Sequence, residues 1–406
     1  MFKPQTKLGV GGLEMGPLER QLVLEVLDSG RLSPGPFVAR FEQEIARLHG
    51  RRFGVMCNSG TSALQIALAA LREAGGWADG DEVLVPAVTF IATANVVLMN
   101  GLRPVFVDVD PLTYTIDPAL IEARITPRTR AIIPVHLFGL PCDMDPIMAL
   151  AARHGLQVIE DSAEAMFVRY DGRPVGSFGA MACFSTYVAH LVVTGVGGVT
   201  VTDDPGHYEV LRSLVSHGRQ ASYVTIDDDR EADPDKLFQI VDSRFSFVRL
   251  GYSFRVTELE GALGVAQLSH KDEMMRRRRE NAEFLTRALA PLRDCLQLPT
   301  VPDGRQHAFM MYPLLISDRR VARDRLVKFL ETNLIETRYM FPLLSQPVYR
   351  RLVGDWEGEY PVARRIDRDG FYIGCHPGLG EEALAYVAGK FKEFFDACDW
   401  RSTHAG

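Results

Sequence analysis

Short apolar segments alternate with segments of helical spacing from residue 53 to residue 161, and this alternation limits the chain to few folds. Strands that alternate with helices at this pitch imply right-handed crossovers and a mainly parallel sheet with helices on both faces, an α/β fold. The predicted strands are Phe53–Cys57, Glu82–Val85, Pro104–Val107, Ala131–Val135 and Gln157–Ile159. The predicted helices between them begin near Ser62, Phe90, Pro118 and Met144.

Sheets of this kind place their sites beyond the carboxyl ends of the strands. Several residues that suit a binding or catalytic site fall at or just after predicted strand ends. They are Gly60, Phe90, Asp161, Ser185 and His190. These positions therefore become the candidates for a common site.

The chain length of 406 residues allows one large domain and a smaller one. We predict a large domain over residues 1–270, which carries an N-terminal arm, and a small C-terminal α+β domain over residues 271–406. Two strands are expected in the second domain, Ala308–Ile316 and Glu336–Phe341. The acidic, polar segment 222–242 is predicted to be a long loop, which in compact domains is usually functional or mobile.

The charge pattern argues against a nucleic-acid partner. Formal net charge is -7, and the densest basic run is RRRR at residues 276–279. Glutamates flank that run closely, so we interpret it as the solvated face of a helix.

Membrane insertion, secretion and metal binding are not expected either. No apolar run approaches the ~20 residues that a membrane span needs, and the N-terminus MFKPQTKLGV lacks an apolar signal segment. The six cysteines are scattered without a CxxC pair. Reduced thiols in a cytoplasmic protein without a metal site are the expectation.

A turn after the first predicted strand has the character of an anion site. Residues 58–61 read Asn-Ser-Gly-Thr and lead into a helix. Backbone N–H groups and the positive end of a helix then face an anion. Gly60 permits close approach and Thr61 adds a hydroxyl; the alternative is an ordinary turn with a helix cap.

Two further positions suit an aromatic, positively charged ring. Asp161 ends a buried strand, where a carboxylate needs a cation or hydrogen-bond donors. A pyridinium nitrogen is such a cation; the alternative is a helix cap. Phe90 follows a strand and a proline turn, so its side chain either stacks on a planar ring or packs in the core.

The stretch CFSTYVAHLVVTGVGG, residues 183–198, is the most informative part of the chain. A serine followed five residues later by the key side chain and then by a glycine-rich turn is the layout of a pyridoxal-phosphate lysine site. Ser185 is that serine, but the fifth residue after it is His190.

Five motifs together resemble one family. NSGTSAL, PAVTFIATANVV, EDSAEA, FSTYVAHLVVTGVGG and GYSFRVTELEGALGVAQL are similar, in order and spacing, to the DegT-like sugar aminotransferases. These are fold-type-I pyridoxal-phosphate enzymes that act on nucleotide-linked keto-sugars. The resemblance implies the following cofactor contacts: Gly60, Thr61 and Ser185 on the phosphate, Phe90 on the ring face, Asp161 on the pyridinium nitrogen, and Glu164 where a glutamine usually lies near the ring hydroxyl.

The resemblance also implies a homodimer. In the family, an asparagine in a GYN motif reaches the phosphate across the subunit interface. Here Ser253 takes its place, with a shorter side chain and a single hydroxyl. His217 and Arg219 are candidate substrate contacts, with an ordinary surface pair as the alternative. His136, in VHLFG, is interpreted as a structural histidine.

His190 occupies the position of the Schiff-base lysine. None of the lysines of the chain lies near a predicted strand end beside Asp161. We therefore expect the cofactor to be held noncovalently, as pyridoxal phosphate or, most stably, as pyridoxamine phosphate. A histidine at this position resembles the sugar 3-dehydratase branch of the family, with a pattern similar to that of the GDP-4-keto-6-deoxy-D-mannose 3-dehydratases. A relative acting on CDP-linked sugar adds an iron–sulfur cluster, which is not expected here because no cysteine lies between Cys183 and Cys295.

The expected reaction is C3 dehydration of a nucleotide-linked 4-keto-6-deoxy sugar, with glutamate restoring the amine of the cofactor. Histidine titrates near neutrality, so His190 is suited to take and return a proton. Two alternatives stay open. One is a transaminase or another pyridoxamine-phosphate-dependent keto-sugar enzyme, and the other is a non-catalytic relative that binds cofactor or sugar nucleotide as a regulator.

Overall fold

A computed structural model describes residues 2–13, 15–220, 233–243, 245–341, 343–354 and 358–397. The strands are β1 (Phe53–Cys57), β2 (Glu82–Pro86), β3 (Arg103–Val107), β4 (Thr129–Ile132), β5 (Gln157–Asp161), β6 (Arg169–Tyr170), β7 (Arg173–Pro174), β8 (Met181–Ser185), β9 (Gly198–Thr202), β10 (Leu296–Gln297), β11 (Tyr312–Ile316), β12 (Thr337–Tyr339) and β13 (Gly370–Ile373).

The α-helices are α1 (Pro17–Ser29), α2 (Pro36–Leu48), α3 (Gly60–Gly75), α4 (Ile91–Met99), α5 (Pro118–Ile121), α6 (Met144–His154), α7 (Pro205–Val215), α8 (Pro234–Ser243), α9 (Glu258–Ser269), α10 (Lys271–Leu289), α11 (Arg323–Thr332), α12 (Pro347–Val353), α13 (Pro361–Asp369) and α14 (Glu381–Ala397).

The central sheet has seven strands in the order β1-β9-β8-β5-β4-β2-β3. All neighbouring pairs from β8 to β3 are parallel, whereas β9 runs antiparallel to both β1 and β8. The predicted mainly parallel sheet is therefore confirmed. β9 is reversed because the chain returns to the sheet directly after residues 186–197 instead of crossing over it in a helix.

This strand order brings the predicted site positions together. β1, β5 and β8 share one direction, so their carboxyl ends meet at one edge of the sheet, where Asp161 lies beside Cys183 and Cys57 beside Gly198. The turn after β1 lies close to the start of β9, since a Cβ on Gly198 would lie 2.4 Å from the carbonyl oxygen of Ser59. Glycine at this position lets the turn after β1 reach the end of β8.

The second sheet has four antiparallel strands in the order β10-β11-β13-β12. Both strands predicted after residue 290 are present, as β11 and β12, but the prediction missed β10 and β13. β10 has only two residues, and β13 follows α13 without a turn signal, so neither has the alternation that marks a strand. The domain division at residue 270 stays a prediction.

Two predicted segments differ in the structure. Most of the predicted loop 222–242 lies outside the described residues, but its end is helix α8, which begins with Asp233 accepting a hydrogen bond from the Asp235 N–H at 3.0 Å. Asp-Pro is a helix-start signal that acidic composition concealed. The ladder of β4 ends before the predicted Val135 because Pro134 lacks an N–H donor.

The basic run on α10 is only partly a solvated face. Arg276 pairs with Glu273 and Glu280, as expected. Arg278, however, is 2% exposed and donates from Nη1 to the carbonyl oxygen of Met310 at 2.9 Å. The interpretation of the whole run as solvated is wrong at this residue, since one position in the run faces the core.

The five cysteines within the described ranges are buried and form no disulfide, and Cys398 lies outside those ranges. Over the same ranges, no helix combines the length and apolar character that crossing a bilayer requires.

Candidate active site

A cavity of about 730 Å³ lies at the carboxyl ends of β1, β5 and β8. Seven of the predicted site residues line it. They are Gly60, Thr61, Phe90, Asp161, Glu164, Ser185 and His190. The site is therefore assembled from separate parts of the chain by the strand order of the central sheet.

The floor of the cavity suits a phosphate group. The N–H groups of Gly60 and Thr61 precede the first bond within α3, which Ala63 N–H makes to the Ser59 carbonyl, so they have no partner inside the helix. A Cβ at position 60 would lie 2.7 Å from the Cβ of Ser185. Only glycine allows the start of α3 and the Ser185 side chain to share this floor.

Asp161 is 4% exposed and ends β5. Its Oδ2 accepts a hydrogen bond from Thr93 Oγ1 at 2.8 Å and its Oδ1 accepts one from the Ala163 N–H at 3.2 Å. Burial nevertheless raises the pKa of this carboxyl, because the two hydrogen bonds and the nearby His136 do not fully compensate for the lost water. A positively charged ring nitrogen would supply the compensation.

Phe90 is 57% exposed, so it is not a core residue. It lies directly before α4, and its ring contacts Phe341 edge-on with centroids 6.1 Å apart. This arrangement leaves the face of the Phe90 ring available to another planar ring.

Glu164 reaches the cavity from the loop after β5. Its Oε2 accepts a hydrogen bond from the Phe138 N–H at 2.5 Å, and Phe138 has the uncommon φ of 57°. Burial, with a smaller effect from Asp161, raises the pKa of Glu164 to about 8. Glu164 is therefore protonated at neutral pH and is able to donate a hydrogen bond, as a glutamine amide would.

His190 lies in a tight turn after β8, where its N–H donates to the Tyr187 carbonyl at 2.9 Å. Its Nδ1 is buried and makes no hydrogen bond. Burial lowers the pKa of His190 to about 4; the Ala163 backbone opposes this shift and the positive charge of Arg278 adds to it. The ring is therefore neutral at pH 7 and ready to accept a proton.

These features fit a pyridoxal-phosphate-type cofactor. The floor presents two N–H groups without a partner inside α3, and burial raises the pKa of Asp161. Phe90 offers a ring face, and His190 Nδ1 is buried without a hydrogen bond. None of the described residues that line the cavity is a lysine, and Arg338 is the one basic side chain among them apart from His190.

Three predicted residues lie outside this cavity in the single chain. Arg255 Nη2 donates to the Ser253 hydroxyl and contacts His217 Nε2, both at 3.0 Å. Arg219 packs over the Phe247 ring, 5.7 Å from its centroid. The cofactor role of Ser253 and the substrate roles of His217 and Arg219 stay predictions.

Sequence reasoning missed the two threonines that support Asp161. Thr89 and Thr93 are 2.8 Å apart between hydroxyl oxygens, and Thr93 donates onward to the carboxylate. The available signal was their spacing of four residues in the motif around Phe90, which puts them near one another at the start of a helix.

The structural interpretation of His136 is confirmed. The residue is fully buried; its Nδ1 accepts a hydrogen bond from the Cys142 N–H at 3.0 Å, and its Nε2 lies 3.2 Å from Glu160 Oε2. Because Nδ1 accepts a backbone N–H, Nε2 is the ring nitrogen that donates, to Glu160.

Comparisons with known proteins agree with this geometry. Residues 14–392 match the model of the DegT/DnrJ/EryC1/StrS aminotransferase family. A GDP-perosamine synthase from Caulobacter vibrioides is 36% identical over 384 residues, which cover 94% of this chain and 96% of the relative.

Two solved structures are similar over nearly the whole length. DesV from S. venezuelae, in complex with a ketimine intermediate, is 33% identical with a TM-score of 0.81, covering 93% of this chain and 94% of the other. A variant of GDP-4-keto-6-deoxymannose-3-dehydratase (ColD) with bound GDP-perosamine is 26% identical with a TM-score of 0.82, covering 95% and 100%.

Proposed function

Because this chain belongs to the DegT/DnrJ/EryC1/StrS aminotransferase family, we propose that it removes the C3 hydroxyl of a nucleotide-linked 4-keto-6-deoxy sugar. The fold is that of fold-type-I pyridoxal-phosphate transferases, and the cofactor is pyridoxal or pyridoxamine phosphate. The proposal depends on one observation: His190 lines the cavity, and no lysine does among the described residues. The sequence layout after Ser185 predicts that His190 takes the position of the family's lysine.

The proposed cofactor contacts follow the cavity geometry. Gly60, Thr61 and Ser185 hold the phosphate, Phe90 covers one ring face and Asp161 faces the ring nitrogen. Bound noncovalently as the amine, pyridoxamine phosphate supplies a group that condenses with a ketone and a ring that accepts an electron pair. The ionised Asp161 keeps a proton on the ring nitrogen, and so maintains that electron-accepting character.

His190 performs the proton transfers in this proposal. The neutral ring takes a proton from the C4′ carbon of the cofactor and then gives it to the departing C3 oxygen of the sugar. Since burial lowers the pKa of His190 to about 4, the protonated ring is a stronger acid than an exposed imidazolium. That acidity favours the second transfer, because hydroxide leaves poorly without a proton.

Glutamate is the proposed amine donor, and His190 again serves as the base when the amine is restored. A homodimer is proposed because Ser253, His217 and Arg219 lie outside the cavity of their own chain and their predicted roles need a second subunit. The expected cytoplasmic location also stays a prediction.

A nucleotide-sugar aminotransferase is the second candidate. The GDP-perosamine synthase of Caulobacter vibrioides, which matches 94% of this chain, favours it. The two activities share the cofactor and the amine donor but differ in the product. A dehydratase yields a 3-deoxy keto-sugar and ammonia, whereas an aminotransferase yields a stable amino-sugar.

The product distinguishes these activities. The purified protein is incubated with pyridoxal phosphate, glutamate and a panel of GDP-, CDP-, dTDP- and UDP-linked 4-keto-6-deoxy sugars, and the products are identified by mass spectrometry. We expect ammonia release and loss of the C3 oxygen with one of these sugars. An amino-sugar with the C3 hydroxyl intact would favour the aminotransferase, and no turnover across the panel would favour a regulator.

A further inference from the structure

The N-terminal arm, residues 7–12, pairs with the segment just before β12. Leu8 pairs in parallel with Ile335: its N–H donates to the Leu334 carbonyl at 2.8 Å, and its own carbonyl accepts from the Glu336 N–H at 2.9 Å. Lys7 adds an ion pair to Glu331 at 2.7 Å. The arm is thus attached to the C-terminal part of the chain by backbone pairing.

Beyond this attachment the arm enters the wall of the cavity. The Val10 N–H donates to Glu336 Oε2 at 2.9 Å, and the Gly9 carbonyl lies 3.2 Å from His376 Nε2. Val10 and Gly11 are both cavity-lining residues. Contacts with the C-terminal part of the chain therefore fix the path of the arm to the site.

Gly11 packs against the residue that precedes His190. A Cβ on Gly11 would lie 3.3 Å from the Cα of Ala189 and 3.5 Å from its carbonyl oxygen. The first distance is shorter than most Cβ contacts in proteins, so even a methyl group would push the arm and the Ala189 backbone apart. The neighbouring Gly12 has more room, with His376 Cε1 at 3.6 Å.

His190 needs such a support. A histidine that moves protons is usually oriented by a hydrogen bond from its second ring nitrogen to a third group. Here Nδ1 is buried without a partner, and the polar contact of the ring is with the backbone of Ala163. Beyond that contact, the orientation of the ring depends on the backbone turn from Tyr187 to His190 and on what packs against that turn.

We propose that Gly11 is a positioning residue: through it the N-terminal arm clamps Ala189 and so fixes the direction of the His190 ring. The catalytic consequence rests on the proposed function of His190 as the acid and base. The clamp itself is a packing arrangement, and it is measurable without turnover.

A graded series tests the clamp, with Gly11→Ala, Gly11→Val and the matched control Gly12→Ala in the full-length protein. Displacing a catalytic group by about 1 Å is able to reduce rate by roughly 10²-fold. We expect kcat to fall about tenfold in Gly11→Ala and roughly 10²-fold in Gly11→Val, with little change in KM, cofactor Kd or Tm. Gly12→Ala is expected to match wild type.

A second readout separates this proposal from the proposed function. Carbethoxylation of His190 by diethyl pyrocarbonate, followed by peptide mass spectrometry, reports the environment of the ring whether or not the enzyme turns over. We expect faster modification in Gly11→Val than in Gly12→Ala. Equal rates at His190 in both variants would overturn the clamp, as would wild-type kcat in Gly11→Val. If the wild-type protein did not dehydrate the sugar but His190 was still modified faster in Gly11→Val than in Gly12→Ala, only the proposed function would be removed.

Discussion

Dehydration is expected to fall by about 10²–10⁴-fold when His190 is replaced with asparagine, because the substitution removes the group that takes and returns the proton. Asparagine retains a polar side chain of similar reach but has no ring nitrogen that takes up a proton. Cofactor affinity is expected to change little, since the proposed phosphate, ring and nitrogen contacts come from other residues. The measurement is single-turnover formation of the 3-deoxy product, together with the Kd for pyridoxamine phosphate.

His190→Lys is the informative companion to this variant. A lysine at this position is expected to form a covalent bond with pyridoxal phosphate and to lose dehydration, because the tethered cofactor no longer acts as a free amine. Dehydration that persisted in either variant at more than about one tenth of the wild-type rate would show that another residue transfers the proton.

Asp161→Asn is expected to weaken pyridoxamine phosphate binding by about 3–5 kcal/mol, or roughly 10²–10⁴-fold in Kd. The amide has nearly the same shape but no charge, so the ring nitrogen would lose its anionic partner in a buried site. Burial already raises the pKa of Asp161, which indicates how strongly this carboxylate needs a cation. Equilibrium titration of the cofactor-free protein measures the effect.

Asp108→Asn is the matched control for this experiment. Asp108 is also a buried carboxylate just after a strand, β3, but it accepts hydrogen bonds from the N–H groups of Val362 and Ala363 at 2.9 Å and does not line the cavity. Its replacement is expected to leave the cofactor Kd unchanged. A Kd for Asp161→Asn within about threefold of wild type would mean that Asp161 does not face the ring nitrogen.

Local sequence signals were sufficient to predict the part of the site that comes from the ends of the central strands. The small residues after β1, the carboxylate that ends β5 and the polar step after β8 all carry a local pattern, and the parallel sheet gathers them at one edge. For Asp161 the sequence left a helix cap and a cofactor contact open. Its burial and its raised pKa, seen only in the structure, favour the contact.

The remaining parts of the site depend on contacts between distant segments, which local patterns do not encode. Gly11 meets Ala189 only because the arm pairs with Ile335, more than 300 residues away in the chain. Arg278 looks like one solvated arginine among four, and only the packing of α10 buries it. β13 was missed because its pairing with β11 and β12, not its own short sequence, makes it a strand.

The central claim is that an imidazole replaces the covalent tether of the cofactor. The most direct measurement is intact-protein and peptide mass spectrometry of the wild-type protein after incubation with pyridoxal phosphate and reduction by borohydride, with His190→Lys as the positive control. We predict that wild type gains no mass at any lysine, whereas His190→Lys gains one reduced cofactor at residue 190. A stoichiometric adduct on a lysine of the wild-type protein would contradict the account.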